Sequence, residues 1–274
     1  MVIFFATLSS LLGLVVILSL VYLFVLLRPA RRVKPDEALL CDYAHRGLHG
    51  NGVPENSLAA FELACKKGFG IELDVQLSRD GKVMVFHDYT LVRMTGCDKK
   101  LCELTAEELS ALTLSGSEEK IPTFEEVLSL VDGRVPLLVE LKGESTDTSL
   151  CAAVAEQLKG YKGKYCLESF NPILIGNMKK FLPDAFRGLL YTNVCREKKK
   201  RSVLNILLTA MALNVVAAPD FIAYNKEDRN SLPVRLATRF FPTTQFVWTI
   251  KSKKELSDAH ILGEYPIFEN IKAD

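Results

Sequence analysis

The feature that most constrains this fold is a regular alternation of short apolar runs with segments of helical periodicity. Nine runs have the length and composition of strands. They are residues 39–44, 70–77, 83–86, 136–141, 165–170, 186–191, 221–224, 245–250 and 265–268. Such alternation predicts a parallel sheet with helices outside it, and this many strands predicts the closed (β/α)8 barrel. Because that barrel has about eight places, we expect the last two candidates to compete for one of them.

One strand departs from the alternation. The run 83–86 follows strand 70–77 through the turn Asp80-Gly81, which leaves too little chain for a helix between them. Residues 88–120 then have weak patterning, with one predicted helix over 105–112. We therefore interpret residues 88–120 as a small insertion after the third strand.

The segment from Met1 to Leu27 contains no charged side chain. A helix needs about 20 apolar residues to span a bilayer, so this segment is long enough. Arg28, Arg31, Arg32 and Lys34 follow it, and no Lys or Arg precedes it. By the positive-inside rule, this asymmetry predicts a single-pass anchor in the cell membrane, with the following domain in the cytoplasm.

The other interpretation of residues 1–27 is a cleaved signal peptide. Against it, the segment has no basic residue at its start, its apolar run is too long, and no clear small-x-small cleavage site follows. We therefore divide the chain into a transmembrane anchor over 1–27, a linker over 28–38 and a barrel domain over 39–274.

Composition excludes several other classes of protein. A formal net charge of +1 gives no electrostatic basis for binding nucleic acid. The seven cysteines are scattered without a CxxC pair, which argues against a disulfide framework or a thiolate zinc site and fits a reducing compartment. Nothing in the composition indicates an oligomeric state.

The stretch 44–88 combines acidic residues and histidines. Glu72 and Asp74 lie one residue apart in strand 70–77, so their side chains should project from the same face. Two adjacent carboxylates resist ionising together, and a bound cation with a preference for oxygen ligands removes that conflict. His45 and His87 flank the pair and have side chains that exchange protons near neutral pH. The stretch therefore predicts a metal site between two proton-transfer groups.

Further polar residues should join this site, because a (β/α)8 barrel collects its chemistry at the carboxyl ends of its strands. Strand 136–141 ends with Glu140 and is followed by Lys142. Four strand ends thus carry the candidate residues His45, Arg46, Glu72, Asp74, His87, Glu140 and Lys142. Convergence from distant positions is stronger support than any single motif.

These residues resemble the glycerophosphodiester phosphodiesterase family, one of the phospholipase C-like phosphodiesterase barrels. The resemblance spans most of 44–250. It is carried by His45-Arg46-Gly47, Pro54-Glu55-Asn56-Ser57, Glu72-x-Asp74, Asp80-Gly81, His87-Asp88, Arg93-x-Thr95-Gly96, Ile121-Pro122-Thr123, Glu140-x-Lys142, Ser169-Phe170 and Trp248-Thr249. It implies a TIM barrel with a small insertion after the third strand.

The resemblance also implies a divalent cation, Ca²⁺ or Mg²⁺, held by Glu72, Asp74 and Glu140. It implies that His45 and His87 are catalytic. Their chemistry would be hydrolysis of glycerophosphodiesters to glycerol phosphate and an alcohol, with one histidine acting as base and the other as acid.

The remaining candidate residues would bind substrate. Arg46 suits paired contacts to phosphate oxygens, and Lys142 adds a point charge. Trp248 either packs in the core or, on the family interpretation, lines the substrate cleft. Glu55 is either a favourable charge at a helix N-terminus or a partner behind the cation ligands.

Two regions leave alternatives open. The family usually carries a Gly-Ile-Ile-Thr-Asp-like strand near its C-terminus, whereas this chain has the sequence 265–270, which puts substrate preference in doubt. Residues 202–218 form an apolar helical pattern with a polar stripe at Ser202, Asn205 and Thr209, preceded by a basic run over 196–201. This pattern fits a helix that is buried or covered by an insertion, or a helix that dips into the inner leaflet with its basic run on anionic headgroups.

Three functions follow from these features. The first is a membrane-anchored phosphodiesterase acting on glycerophosphodiesters, with 39–274 as its catalytic domain. The second is a lysophospholipase D acting on membrane lysophospholipids, which the anchor favours. The third is a non-catalytic barrel that binds lipid or polyol phosphates, against which the complete set of charged residues argues.

Overall fold

The computed structural model describes residues 2–30, 33–143 and 146–271. Arg31 and Arg32, on which the predicted membrane orientation partly rests, lie outside the described residues. So do Met1, in the predicted anchor, and residues 272–274, in the predicted barrel domain. The strands are β1 (Tyr43–Ala44), β2 (Gly70–Leu77), β3 (Val83–Val85), β4 (Leu137–Leu141), β5 (Tyr165–Ser169), β6 (Phe186–Tyr191), β7 (Phe221–Asn225), β8 (Thr244–Ile250) and β9 (Tyr265–Phe268).

The α-helices of the described residues lie mostly between these strands. They are α1 (Val2–Val21), α2 (Leu58–Lys67), α3 (Val92–Thr95), α4 (Ala106–Ser110), α5 (Phe124–Val131), α6 (Ser149–Gly160), α7 (Pro172–Phe181), α8 (Val194–Glu197), α9 (Val203–Thr209), α10 (Asn214–Ala217), α11 (Leu232–Phe240) and α12 (Lys253–Ile261). Side-chain caps define many of their ends. Ser57, for example, accepts from the Ala60 amide at the start of α2, and Gly68 ends that helix in the left-handed conformation.

Eight parallel strands close into a barrel in the order β1-β2-β4-β5-β6-β7-β8-β9, with β9 paired to β1. This confirms the predicted (β/α)8 fold. The expectation that the last two candidates compete is wrong, because β8 and β9 both belong to the barrel. The strand outside it is β3, which pairs antiparallel to β2 because the Asp80-Gly81 turn folds it straight back.

The predicted first strand is also shorter than expected. Residues 37–39 form a 3-10 helix whose first turn is capped by Asp36, and only Tyr43 and Ala44 pair as a strand. The Asp36 carboxylate competes here with strand pairing by accepting from the Ala38 amide at 3.0 Å. The strand nevertheless delivers residue 45 to the mouth of the barrel.

The barrel interior has two layers. Alternate residues of neighbouring strands point inward, and those near the amino ends of the strands form an apolar plug. Phe186, Phe221 and Phe246 pack there in one buried cluster with Leu138 and Cys166. Two residues further along each of β4, β5 and β8, the same inward face becomes polar or cleft-lining, at residues 140, 168 and 248. The plug therefore forms the floor on which the site is built.

Residues 88–120 form a small subdomain above β3. It contains α3, α4 and a 3-10 turn, and it has its own buried cluster with Met94, Leu101 and Leu109 at its centre. The cluster includes Met84 and Phe86, so the insertion fixes β3 and the residues that follow it.

The N-terminal helix α1 continues as a π-turn over Tyr22–Leu26. Its segment Thr7–Leu26 has a mean hydropathy of 2.6 and is long and apolar enough to cross a membrane, a property that signal sequences share. The end of this segment is docked on the barrel domain. Leu27 is fully buried, and its carbonyl accepts a hydrogen bond from the Asn214 amide at 2.6 Å.

The apolar segment 202–218 is two short helices rather than one. Met211 has a φ of 52°, which breaks the helix between α9 and α10. The polar stripe faces inward: Ser202 caps α9, and the Thr209 hydroxyl accepts from the Cys195 amide. The interpretation as a buried helix is wrong for α9, because most of its apolar side chains are exposed.

Candidate active site

Three carboxylates meet inside the mouth of the barrel. Glu72 and Asp74 point inward from β2, and Asp74 is the direct cross-strand partner of Glu140 on β4. One carboxylate oxygen from each lies within 4.8 Å of the other two, and all three residues are buried. This is the oxygen-rich arrangement that a hard divalent cation requires.

Two basic residues hold this cluster together. The Lys142 Nζ contacts Asp74 Oδ1 at 3.1 Å and Glu140 Oε1 at 2.9 Å. The Arg46 backbone amide donates to Glu72 Oε2 at 2.8 Å, and its guanidinium Nε lies 3.5 Å from Asp74 Oδ2. Arg46 has a φ of 56°, which turns its amide and its side chain toward the same cluster.

The three carboxyl groups of the cluster differ in the direction of their pKa shifts. Burial and the neighbouring Asp74 and Glu140 raise the pKa of Glu72 well above its usual value, and burial raises that of Glu140 to about 7. Burial acts in the same direction on Asp74, but Lys142, His87 and Arg46 outweigh it and hold the pKa of Asp74 far below its usual range.

Glu168 on β5 is a fourth buried carboxylate, beside Glu140 in the strand register. Burial and the charges of Glu72 and Glu140 raise its pKa well above the usual value, and its Oε2 accepts no hydrogen bond within the part of the chain that the structure describes. Four acidic side chains thus face the two basic ones, Arg46 and Lys142. That imbalance fits the charge of a divalent cation.

His45 follows β1 and is held by a carboxylate from the far end of the chain. Its Nδ1 lies 3.0 Å from Glu269 Oε2, and its Nε2 lies 3.9 Å from Glu72 Oε2. A carboxylate on Nδ1 keeps the proton of the neutral ring there and turns Nε2 toward the cavity. Burial lowers the pKa of His45, while the bond to Glu269 opposes that shift.

His87 has an equivalent partner in Asp88, whose Oδ1 lies 2.6 Å from its Nδ1. Arg93 in turn contacts Asp88 at 2.6 Å and Glu55 at 2.6 Å, and Glu55 contacts the Arg46 guanidinium at 2.8 Å. These ion pairs thus connect His87 to the cluster of three carboxylates. Burial lowers the pKa of His87, against the opposing charge of Asp74.

Two buried amides fix the backbone and the carboxylates. The Gln76 side chain donates to the carbonyls of Phe86, His87 and Asp88 at 2.8, 3.2 and 2.9 Å, so it anchors the segment that carries His87. Asn56, with a φ of 53°, donates to Asp74 Oδ2 at 2.8 Å.

A cavity of about 90 Å³ connects these groups. Its wall includes both histidines, Glu72, Glu140 and Trp248, while Asp74 lies buried behind it. The Trp248 indole donates to the Ala223 carbonyl at 3.1 Å and meets the Phe170 ring edge-on at 5.6 Å. A larger cleft of about 460 Å³ adjoins it and shares His87, Glu140 and Lys142 with it. The site therefore comprises a small inner chamber and a larger outer cleft.

All eight residues named from the sequence line this one cavity or lie buried beside it: His45, Arg46, Glu72, Asp74, His87, Glu140, Lys142 and Trp248. Sequence reasoning missed Glu168, Glu269 and Gln76. Glu168 and Gln76 do follow a readable rule, since each is a polar residue at an inward position near the end of an apolar strand. The role of Glu269 has no local signal, because it arises only when β9 closes against β1.

The sequence model of the glycerophosphoryl diester phosphodiesterase family matches residues 45–267. A glycerophosphodiester phosphodiesterase of Caldanaerobacter subterraneus is 36% identical over 161 residues, which are 54% of this chain and 65% of that protein. Human glycerophosphodiester phosphodiesterase 1 is 33% identical over 128 residues, 43% of this chain and 38% of that protein. The aligned segment thus spans less than two thirds of the length of either relative.

Solved structures share the fold over nearly all of the barrel. An Oleispira antarctica phosphodiesterase in complex with the product sn-glycerol-3-phosphate has a TM-score of 0.70 and 25% identity, covering 85% of this chain and 94% of that one. A glycerophosphodiester phosphodiesterase from Thermotoga maritima has a TM-score of 0.65 and 27% identity, covering 84% and 94%. The match over residues 45–267 establishes that this chain belongs to the glycerophosphoryl diester phosphodiesterase family.

Proposed function

We propose that this chain hydrolyses glycerophosphodiesters to glycerol phosphate and an alcohol, with His45 and His87 as its acid and base. The observation that carries the proposal is the pair of carboxylate-backed histidines in one cavity with a cluster of buried acids. The family membership and the names of the matched relatives support the same reaction.

The two histidines divide the proton transfers. In the first step, one imidazole removes the proton of a neighbouring glycerol hydroxyl as its oxygen attacks phosphorus, and the other protonates the departing alcohol. The products are the alcohol and a cyclic glycerol phosphate. In the second step the roles reverse: water loses a proton to the histidine that had donated one, and the ring oxygen gains one. Glycerol phosphate then leaves.

The acidic cluster fits a divalent cation, Ca²⁺ or Mg²⁺, held by Glu72, Asp74 and Glu140. Three buried acidic side chains each place one oxygen within 4.8 Å of the other two, and ionising all three would give more negative charge than Lys142 and Arg46 neutralise. When bound, such a cation would neutralise phosphate charge and lower the barrier to attack. Glu168 lies beside Glu140, and burial and the neighbouring acids raise its pKa well above the usual value, a cost that a bound cation would relieve.

Substrate contacts belong to Arg46, Lys142 and Trp248. The Arg46 and Lys142 side chains place positive charge in the wall of the cavity, where they would bind phosphate oxygens. The Trp248 ring lines the same cavity, where it would pack against the glycerol carbons.

We also propose that residues 1–27 are an uncleaved single-pass anchor and that the catalytic domain over 39–274 is cytoplasmic. Tyr22 and Leu23 pack against the barrel core, and Leu27 is fully buried in it. Cleavage after the helix would remove side chains that the folded domain covers, which supports an anchor over a signal peptide. A non-catalytic phosphate-binding barrel would not explain why each of the two histidines has a carboxylate on its Nδ1.

The test uses purified full-length protein with glycerophosphocholine, glycerophosphoethanolamine and lysophosphatidylcholine, each with and without EDTA. We expect glycerol phosphate and the free headgroup alcohol from the first two, and loss of turnover with EDTA that added Ca²⁺ or Mg²⁺ reverses. Binding of glycerol phosphate without turnover of any diester would favour the non-catalytic barrel. Turnover that resists the chelator would contradict the cation assignment.

A further inference from the structure

Helix α9 buries a polar side chain and exposes apolar ones, which is the reverse of the usual pattern for a surface helix. Asn205 is only 6% exposed, and its side-chain amide donates to the Lys200 carbonyl at 2.8 Å. Val203 and Leu204, on the same helix, are 77% and 57% exposed. Ile206 and Leu207 add to this patch, and a contiguous apolar patch on a protein surface marks a site of interaction.

Basic residues adjoin the patch. Lys198, Lys199, Lys200 and Arg201 are all exposed and lead directly into α9. A run of cations beside exposed apolar side chains is the composition of a surface that rests on anionic lipid, with the cations at the headgroups and the apolar groups among the acyl chains.

The patch lies on the same side of the barrel as the active-site mouth. Strand β6 ends at Tyr191 on the carboxyl face of the barrel, and Leu190 on this strand lines the inner cavity. Helices α8 and α9 follow within a dozen residues, before the chain descends to the start of β7 at Phe221.

The docked end of the N-terminal helix runs alongside this descending chain. Tyr22 Oη donates to the Ala210 carbonyl, and Asn214 donates to the Leu27 carbonyl. Further down, the Ala30 amide donates to the Pro219 carbonyl at 2.8 Å, and the Val33 amide donates to Asp220 Oδ1 at 3.1 Å. Both numberings rise together, so residues 22–30 also run from the mouth toward the floor of the barrel, where Val33 lies.

It follows that α1, read backwards from Tyr22, continues past the mouth. Its 20 residues extend about 30 Å, the thickness of the hydrocarbon core of a bilayer. The helix that would cross the membrane therefore leaves the barrel on the side where the active site opens.

We propose that the surface of 198–207 rests on the anionic leaflet that α1 enters, and that the barrel mouth faces this leaflet. The end of the apolar helix contacts Ala210, the residue that follows α9, and basic residues adjoin the patch. These two features identify lipid as the occupant. The substrate is then a phosphodiester carrying a lipid chain, of the lysophospholipid class, taken directly from the leaflet. Only this statement on substrate rests on the proposed phosphodiesterase activity.

The outer cleft suits such a substrate. Tyr89 and Phe170 line it and expose 45% and 39% of their surfaces. These rings offer an apolar path from the leaflet to Lys142 and His87, which line the inner chamber as well.

The orientation is tested by fluorescence on the full chain in vesicles of phosphatidylcholine and phosphatidylglycerol. Two variants, Leu204→Trp and Ile261→Trp, are each made in a Trp248→Phe background, so that each carries a single tryptophan. Ile261 is a matched control because it is 79% exposed at the end of α12, which precedes β9 and lies at the floor of the barrel. Brominated phosphatidylcholine should reduce the emission of Leu204→Trp and leave that of Ile261→Trp unchanged.

Every other pattern overturns the proposal. Quenching at neither position would mean that the α9 surface faces solvent or a protein. Quenching at Ile261 alone would turn the floor toward the membrane, and quenching at both would mean that the barrel lies on its side.

The substrate statement is tested by the double variant Leu204→Ser/Leu207→Ser, with Ile261→Ser/Leu262→Ser as its control. Loss of two membrane-embedded leucines should lower turnover of vesicle-borne lysophosphatidylcholine by about tenfold or more and leave that of soluble glycerophosphocholine unchanged. An equal loss on both substrates, or no loss on either, contradicts it. A wild-type protein that hydrolyses neither substrate would refute the proposed activity, while the fluorescence experiment still decides the orientation.

Discussion

At the scale of single residues, each of the two candidate catalytic histidines is oriented by a carboxylate partner. His45 and His87 each have a carboxylate on Nδ1, at 3.0 and 2.6 Å. The carboxylates come from unrelated parts of the chain, Glu269 after β9 and Asp88 after β3. Each histidine is thus oriented independently, which two separate proton transfers require.

Replacing Glu269 should change the acidity of His45. The Glu269 carboxylate stabilises the imidazolium, so Glu269→Gln lowers the pKa of His45 further below its ordinary value. In the pH profile of kcat/KM, the limb that reports the ionisation of His45 should then move to lower pH. The value of kcat/KM at neutral pH should fall. Glu156→Gln, an exposed residue on α6, is the charge-matched control. An unmoved profile would contradict the role of Glu269.

Cation binding should stabilise the protein more as pH rises. Protons compete with the cation at Glu72 and Glu140, whose pKa values are raised, to about 7 for Glu140, mainly by burial. The increase in Tm on adding Ca²⁺ or Mg²⁺ should therefore grow between about pH 5 and pH 8. Glu140→Gln should reduce that increase at every pH. A Tm increase that is the same throughout the range would mean that the cation binds elsewhere.

At the scale of elements, the β2–β3 hairpin carries much of the site. Its first strand supplies Glu72 and Asp74, and its second leads to His87. The Asp80-Gly81 turn was readable from the sequence, but the place of β3 outside the barrel was not. Local patterning identifies a strand, whereas the choice of its neighbours depends on which strands compete for the closing positions.

Gln76 joins the two strands of this hairpin at the active-site end. Gln76→Glu would place a carboxylate against the three carbonyls that the amide now satisfies. We expect a loss of about 1–3 kcal/mol in the free energy of unfolding, measured in urea, and a fall in kcat because His87 is no longer held. Gln76→Met, which keeps the volume without the charge, should lose less. Wild-type stability in the glutamate variant would show that these bonds contribute nothing.

At the scale of the whole molecule, the sequence predicted the barrel, its insertion and eight residues that line one cavity or lie buried beside it. Those residues lie at strand ends, where the fold itself brings distant positions together. The sequence could not predict contacts made by closure of the barrel, such as Glu269 on His45. Nor could it choose between the two interpretations of residues 202–218, because apolar periodicity alone does not distinguish a core from a membrane surface.

The central claim is that His45 and His87 both transfer protons in phosphodiester hydrolysis. The most direct measurement is turnover of glycerophosphocholine by His45→Gln and His87→Gln, with folding checked by thermal unfolding. His260→Gln is the matched control, since His260 also pairs with a carboxylate, Asp42 at 2.8 Å, but lies on α12 away from the cavity. We predict that each of the first two variants loses about 10²–10⁴-fold in kcat and that the control keeps wild-type turnover. Wild-type turnover in either His45→Gln or His87→Gln would contradict the account.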